Sequence, residues 1–257
     1  MLAQFYAAIL CFASISFAHS WVEDISSLDE DGNIAGDPGY PRGFVPRVIP
    51  VGSGFWPNDD FNDFTMQYLI PPNDREDRAI YLTDRICKST QQTANQTDGY
   101  PVLQAKSGST ILLRYQENGH VTLLGNSTNR RSSGHIWVYG TADPADDDTL
   151  MAIHGRWSED GTGGDHRGAL LTDAPFDDGK CYQTNTSEES KRRRLLPQRS
   201  HTTLEGADLW CGTEVPLPDL DSGTQYALYW VWSFPTQFSD GRSIPEIYTT
   251  CIDVAIV

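Results

Sequence analysis

The chain has 257 residues, of which 39% are hydrophobic and 11% are aromatic. This is enough apolar surface for a hydrophobic core, and it excludes an intrinsically disordered chain. The 19 basic and 35 acidic residues give a formal net charge of −16. Such a chain lacks the basic surface that nucleic acids, anionic membranes and polyanionic glycans require, so we expect a neutral ligand or substrate.

Residues 1–18 have the features of a secretory signal peptide. They carry no charged side chain, and their apolar stretch ends in Ser16-Phe17-Ala18, with small residues where the signal peptidase requires them. The stretch is shorter than the roughly 20 apolar residues of a transmembrane helix. We therefore expect a secreted, extracellular, soluble mature chain, residues 19–257, that folds as a single domain and begins with His19.

The rest of the sequence predicts a mainly β protein with little helix. Runs of apolar and β-branched residues between clusters of turn residues indicate strands. The predicted strands are 110–115, 120–124, 135–139, 226–234 and 247–257. The run 226–234 alternates as a half-buried strand does. This pattern predicts an antiparallel immunoglobulin-like or fibronectin-like β-sandwich with long loops and one or two short helices.

One helix is predicted after Asp146-Asp147-Asp148, since carboxylates favour a helix N-terminus. Leu150, Ile153, His154 and Trp157 then fall on one helical face. The basic stretch 185–200 is predicted to be an exposed loop, with a processing site as the alternative.

Cysteines and glycosylation sequons agree with secretion. Without the leader, an even number of cysteines remains, and none is spaced like a zinc knuckle. These are Cys87, Cys181, Cys211 and Cys251. They predict two disulfides, and four cysteines allow three connectivities. Sequons at Asn95, Asn126 and Asn185 predict glycosylated surface loops.

A histidine at the mature N-terminus can bind a metal ion through two of its own nitrogens. The α-amine, with a pKa of about 7.7–8.0, loses its proton readily to a metal, and the imidazole Nδ1 is the second donor. An imidazole from another histidine would complete a planar set of three nitrogens. Such a set favours Cu(II) over zinc, which prefers a tetrahedron. His19 is therefore predicted to bind one copper ion.

The second histidine is less certain from the residues alone. His120 and His135 each follow a glycine turn and precede apolar residues, and both remain open, with His120 favoured. His154 has the position of a core histidine. His166 and His201 follow a Gly/Asp-rich loop and a basic loop respectively.

Three separated motifs point to one family. The first is Ala18-His19-Ser20, and the second is Gly119-His120-Val121. The third, Glu246-Ile247-Tyr248-Thr249-Thr250-Cys251, is similar to the Gln-x-Tyr-x-x-Cys pattern of fungal cellulose-active members, with Glu246 at the glutamine position. In these motifs the chain resembles the lytic polysaccharide monooxygenases, secreted copper enzymes with a histidine brace. It resembles a divergent branch, because the His-x-Gly-Pro setting of the second histidine is absent.

The resemblance implies roles for individual residues. His19 and His120 would hold copper, and Tyr248 would supply a weak axial oxygen or block that face of the ion. Glu246 would donate a hydrogen bond or a proton to the bound oxygen. The resemblance also favours the disulfides Cys87–Cys251 and Cys181–Cys211, because it ties the last strand to an earlier segment. Trp21 and Tyr40 are candidates for stacking on sugar rings, although a core position is favoured for Trp21.

The implied function is oxidative cleavage of glycosidic bonds in a neutral polysaccharide, namely cellulose, hemicellulose or chitin. It would require an external electron donor, and the protein is expected to be a monomer. Two other classes stay open. One is a secreted copper-binding protein that oxidises no polysaccharide, and the other is a non-enzymatic cell-wall-associated protein in which His19 is incidental.

Overall fold

The first of two packed sheets has four antiparallel strands. The computed structural model describes residues 19–46, 63–127, 129–197 and 204–257. The strands of this sheet are β1 (Val22–Leu28), β2 (Ile34–Gly39), β5 (Thr110–Tyr115) and β8 (Cys211–Pro216). They lie in the order β2-β1-β5-β8.

The second sheet is larger. Its strands are β3 (Leu69–Ile70), β4 (Leu103–Ala105), β6 (His135–Thr141), β7 (Ala169–Pro175), β9 (Gln225–Ser233) and β12 (Ile247–Ile256). The order is β3-β12-β9-β6-β7, and β4 pairs with β12 in parallel, the other pairs being antiparallel. A separate hairpin joins β10 (Thr236–Gln237) to β11 (Ser243–Ile244). The predicted antiparallel β-sandwich is confirmed.

Helices in the described part of the chain are short. The α-helices are α1 (Asp63–Met66), α2 (Leu150–Ile153) and α3 (Glu188–Arg193), and 3-10 turns occupy Ser89–Gln91 and Leu124–Asn126. This is one α-helix more than expected. Within the described ranges, no helix has the length and apolar character needed to cross a membrane.

β9 is buried on both of its faces. Leu228, Trp230 and Trp232 point into the core between the two sheets. Tyr229 and Val231 point the other way, into an outer cluster against the second sheet. The prediction of a half-buried strand was therefore wrong, because segments outside the sheet cover its second face.

The outer cluster is formed in part by the predicted helix. Leu150, Ile153 and Trp157 are all buried there, on the side of the second sheet that faces away from the sandwich core. The α-helix itself ends at Ile153, so it is shorter than the sequence pattern suggested. The apolar face was predicted correctly, and only the helix length was not.

Both predicted disulfide pairings are present. Cys87 is bonded to Cys251 of β12, and Cys181 is bonded to Cys211 of β8. The first joins the outer cluster to the strand that carries Tyr248. The second joins a segment after β7 to the edge of the first sheet.

Two predicted elements were wrong. Residues 120–124 form a turn that leads into a 3-10 helix, not a strand. Within 185–200, the expected loop is partly α3, whose Ser187 side chain accepts the Ser190 backbone N–H. Arg193 of this helix is buried and pairs with Asp177, so the basic run is not wholly solvated. Residues 198–203 lie outside the described part.

Candidate metal centre

His120 is buried in an aromatic pocket with no hydrogen bond to its ring. Its exposed fraction is 1%. The ring centroids of Trp232 and Phe234 lie 5.2 and 4.9 Å away, and that of Phe176 lies 6.4 Å away. Neither ring nitrogen has a hydrogen-bond partner among the residues that the structure describes. Buried polar groups are normally paired, so two unpaired nitrogens on one side chain need an explanation.

A buried carboxylate holds the turn that presents His120. Glu117 accepts the backbone N–H groups of Val121, at 2.8 Å, and Gln183, also at 2.8 Å. It also accepts the Thr122 hydroxyl, and its own carbonyl oxygen accepts the His120 N–H at 2.7 Å. These bonds take backbone groups that a strand would use in its ladder, which is why the predicted strand does not form.

His19 contacts two polar side chains. Its Nε2 lies 2.6 Å from Oδ2 of Asp63, the first residue of α1. Its Nδ1 lies 2.7 Å from Nδ2 of Asn118, which also donates to the His19 carbonyl oxygen at 3.0 Å. Asn118 has a φ of 45°, a left-handed conformation that asparagine tolerates better than most residues. The turn before His120 therefore also reaches His19.

Electrostatics connect the two histidines. Burial, followed by the repulsion that a protonated His19 and Arg130 exert, lowers the pKa of His120 from 6.5 to about 3. The ring is therefore neutral at ordinary pH, which is the form that binds metals.

Glu246 and Tyr248 lie together at the start of β12. The Tyr248 hydroxyl is hydrogen-bonded to the Glu246 side chain, and burial raises the pKa of this tyrosine well above its ordinary value. The ring of Tyr248 lies 5.1 Å from that of Trp232, which also contacts His120. Tyr248 is 2% exposed, so it belongs to the same buried group of rings.

Arg130 is a member of this group that the sequence did not suggest. Its Nη2 donates to Glu246 Oε1 at 2.6 Å, and the Thr236 hydroxyl donates to the same oxygen at 2.9 Å. The guanidinium also lies 4.2 Å from the centroid of the Phe234 ring. Only the fold brings Arg130 to Glu246, because 116 positions separate them in the sequence.

The alternative second histidine, His135, lies elsewhere. It is on the outer face of β6, where its Nε2 contacts Asp173 and its ring lies 4.6 Å from that of Trp137. His154 bonds the Tyr139 hydroxyl through Nδ1 at 3.0 Å, as expected of a structural histidine. His166 is exposed in a turn, and His201 lies outside the described residues.

Trp21 and Tyr40 belong to a third apolar cluster. Trp21 is 3% exposed and is grouped with Phe44 and Met66, so it occupies the favoured core position. Tyr40 packs at 4.9 Å from the Phe44 ring and 5.0 Å from the Tyr100 ring, and it is half-buried.

The sequon asparagines differ in exposure. Asn95 is exposed. Asn185 is half-buried, and its amide nitrogen donates to Thr122 at 2.8 Å and to Gln183 at 2.9 Å, so a glycan there would displace one of these bonds. The Asn126 side chain lies outside the described part. Glycosylation at all three sites stays a prediction.

Comparison with known proteins places the chain in a family. Residues 16–257 match the model of a family described as a domain of unknown function, DUF7492. The chain belongs to this family. No curated protein matches the sequence significantly.

Two solved structures are similar to this DUF7492 member over most of its length. One is the crystal structure of HiLPMO9B, with 12% identity and a TM-score of 0.40, covering 93% of this chain and 78% of that one. The other is a cellulose-active polysaccharide monooxygenase from M. thermophila, with 16% identity and a TM-score of 0.35, again covering 93% and 78%.

Proposed function

We propose that this protein is a secreted copper-dependent monooxygenase that cleaves glycosidic bonds in a neutral polysaccharide. Copper would be held by the α-amine and Nδ1 of His19, once residues 1–18 are removed, and by one ring nitrogen of His120. The observation that carries the proposal is the pair of ring nitrogens on the buried His120 that have no partner among the described residues, together with Asn118, two positions earlier in the same turn, which contacts His19 Nδ1.

The residues present fit a copper ion. An isolated buried imidazole with no partner destabilises the fold, whereas a bound metal would satisfy it. His19 Nε2 contacts a carboxylate, as the second nitrogen of metal-binding histidines commonly does. The donor set is nitrogen only, which suits copper better than magnesium or calcium.

Copper, when bound, would supply the one-electron redox chemistry and the oxygen activation that oxidation of a glycosidic carbon requires. The protein would supply the surroundings. The rings of Trp232 and Phe234 exclude water from His120. Glu246 would serve as the acid–base group, with its carboxylate fixed by Arg130 and hydrogen-bonded to the Tyr248 hydroxyl. Tyr248 would offer a weak oxygen ligand to the copper ion or would shield one face of that ion.

Charge and exposure support a neutral polymer as the substrate. With a net charge of −16, the protein favours a neutral polymer such as cellulose, hemicellulose or chitin. Phe64, which follows the His19 partner Asp63, is 69% exposed and could stack on a sugar ring. The proposal includes an external electron donor and a monomeric protein with one copper-binding domain, residues 19–257.

The first experiment tests whether the α-amine of His19 is a copper ligand. N-terminal sequencing of the secreted protein should give His19, and metal analysis should give one copper per chain. A variant that retains Ala18 has an amide in place of the amine and should bind copper far more weakly. Equal affinity of the two forms would refute the brace.

The second experiment separates an enzyme from a copper carrier. Copper-loaded protein with a reductant should release soluble oxidised oligosaccharides from cellulose, hemicellulose or chitin. Glu246→Ala should reduce turnover by about 10²–10⁴-fold, as positioned acid–base groups do, while copper affinity is retained. Tyr248→Phe should change the copper spectrum with little change in affinity. Copper binding without activity on any of the three polymers would favour the carrier.

A further inference from the structure

The His19 ring is held from both edges by side chains from different parts of the chain. Asp63 of α1 contacts Nε2 and Asn118 contacts Nδ1, at 2.6 and 2.7 Å. The His19 side chain is 16% exposed, against 45% for Asp63. Distances alone do not say which ring nitrogen carries the proton, because either tautomer could make two such contacts.

The second bond of Asn118 decides the tautomer. Its side-chain nitrogen lies 3.0 Å from the His19 carbonyl oxygen, which can only accept a hydrogen bond. The atom of Asn118 that faces His19 is therefore the NH₂ group. That group donates, so His19 Nδ1 accepts through its lone pair, and the proton of the neutral ring lies on Nε2, where Asp63 accepts it.

The backbone that follows Asp63 is held independently of His19. The Lys88 ammonium donates to the carbonyl oxygens of Thr65, at 2.8 Å, and Gln67, at 3.1 Å, and also to that of Phe64. Lys88 follows Cys87, which is bonded to Cys251 of β12. The segment that carries Asp63 is thereby tied to the strand that carries Tyr248, so the backbone position of this segment does not depend on the histidine.

We infer that Asp63 and Asn118 are positioning residues that hold His19 with Nε2 protonated and Nδ1 unprotonated before any metal binds. The inference rests on the proposed function in one respect, that Nδ1 is the nitrogen that copper takes. Metal binding then requires the Asn118 amide to leave Nδ1, while its bond to the His19 carbonyl can remain. The contact of Asp63 with Nε2 also remains, and it raises the basicity of the ligand nitrogen.

The test measures the tautomer and the copper affinity separately. Imidazole ¹⁵N chemical shifts of the metal-free protein should show His19 with a protonated Nε2. Asp63→Ala should give a mixture of tautomers and weaken copper binding by about 10–100-fold, the usual cost of losing such a partner. Asp63→Asn keeps an acceptor oxygen and should preserve the tautomer and most of the affinity. Asp74→Ala, at an exposed site with the same change of charge, is the matched control.

The outcomes distinguish this inference from the proposed function. A protonated Nδ1 in the metal-free wild type overturns it, and so does an Asp63→Ala protein with unchanged tautomer and unchanged copper affinity. If Asp63→Ala does not fold, a mixed tautomer in folded wild type overturns the inference equally. A wild type that binds no copper refutes the proposed function instead, because the tautomer is measured without metal.

Discussion

His120 and His154 differ in burial and in hydrogen bonding: His120 is fully buried, and His154 is half-buried. Both rings lie beside a tryptophan, and burial lowers the pKa of both. His154 bonds the Tyr139 hydroxyl, whereas neither nitrogen of His120 has a partner in the described residues. A histidine with a structural role alone normally has a hydrogen-bond partner within the fold. One that does not is best explained by a ligand that the fold does not itself provide.

The strongest test of this contrast is copper affinity. His120→Ala removes one of three nitrogen ligands, so affinity should fall by more than the roughly 100-fold that outer partners contribute. His154→Ala removes a histidine that also lies beside a tryptophan and should leave affinity unchanged. Isothermal titration with copper on both variants measures this. Equal losses would contradict the assignment of His120.

Removing the Cys87–Cys251 disulfide tests whether the surroundings of His120 and those of His154 are independent. Both cysteines belong to the outer cluster, which also contains Tyr139, the partner of His154. Replacing both by serine should cost about 2–5 kcal/mol of stability and lower the melting temperature. Copper should still bind to His120 at low temperature. Loss of copper by a folded variant would show that the site depends on this tie between the Asp63 segment and β12.

Without copper, the contrast between His120 and His154 should appear as a difference in the free energy of unfolding of their leucine variants. His120→Leu removes two unpaired buried nitrogens, so it should raise the free energy of unfolding by about 1–3 kcal/mol. His154→Leu leaves the Tyr139 hydroxyl without that partner and should lower stability. Urea denaturation of both variants without copper measures the sign. A destabilised His120→Leu would mean that its nitrogens are paired in solution.

The last effect is a change in pH dependence, and it is confined to acidic solution. The pKa of His120 is about 3 in the folded protein against 6.5 unfolded, so the unfolded chain binds more protons between these values. Stability therefore falls as the pH drops from 6.5 toward 3. Burial raises the pKa of Asp24 to about 6, which gives the opposite slope. Comparison of wild type with His120→Leu cancels Asp24, and the variant should lose less stability on acidification.

The sequence predicted the elements whose pattern is local. Strands 110–115, 135–139 and 226–234 were found because runs of apolar and β-branched residues between turns are sufficient to define them. The segment 120–124 failed because Glu117, a residue outside it, takes its backbone N–H groups. The helix within 185–200 was missed although its signals were present. Ser187 caps it, and Glu189 pairs with Arg192 and Arg193.

In the candidate metal centre, the sequence predicted only those residues that have a distinctive position in the chain. His19 follows a leader, and Tyr248 lies three residues before a cysteine. Asp63 and Arg130 have no such signal. They meet His19 and Glu246 across 44 and 116 positions, so only the packing of distant segments identifies them.

β12 follows every other strand that the structure describes, yet both of its edges are paired, one with β9 and the other with β3 and β4. The second sheet cannot form completely until residues 247–256 have been synthesised. Pairing between such distant segments is slow, so the nascent chain exposes the long apolar strand β9 for some time. Chains that terminate early would present this unpaired edge permanently and should aggregate instead of folding into a smaller domain.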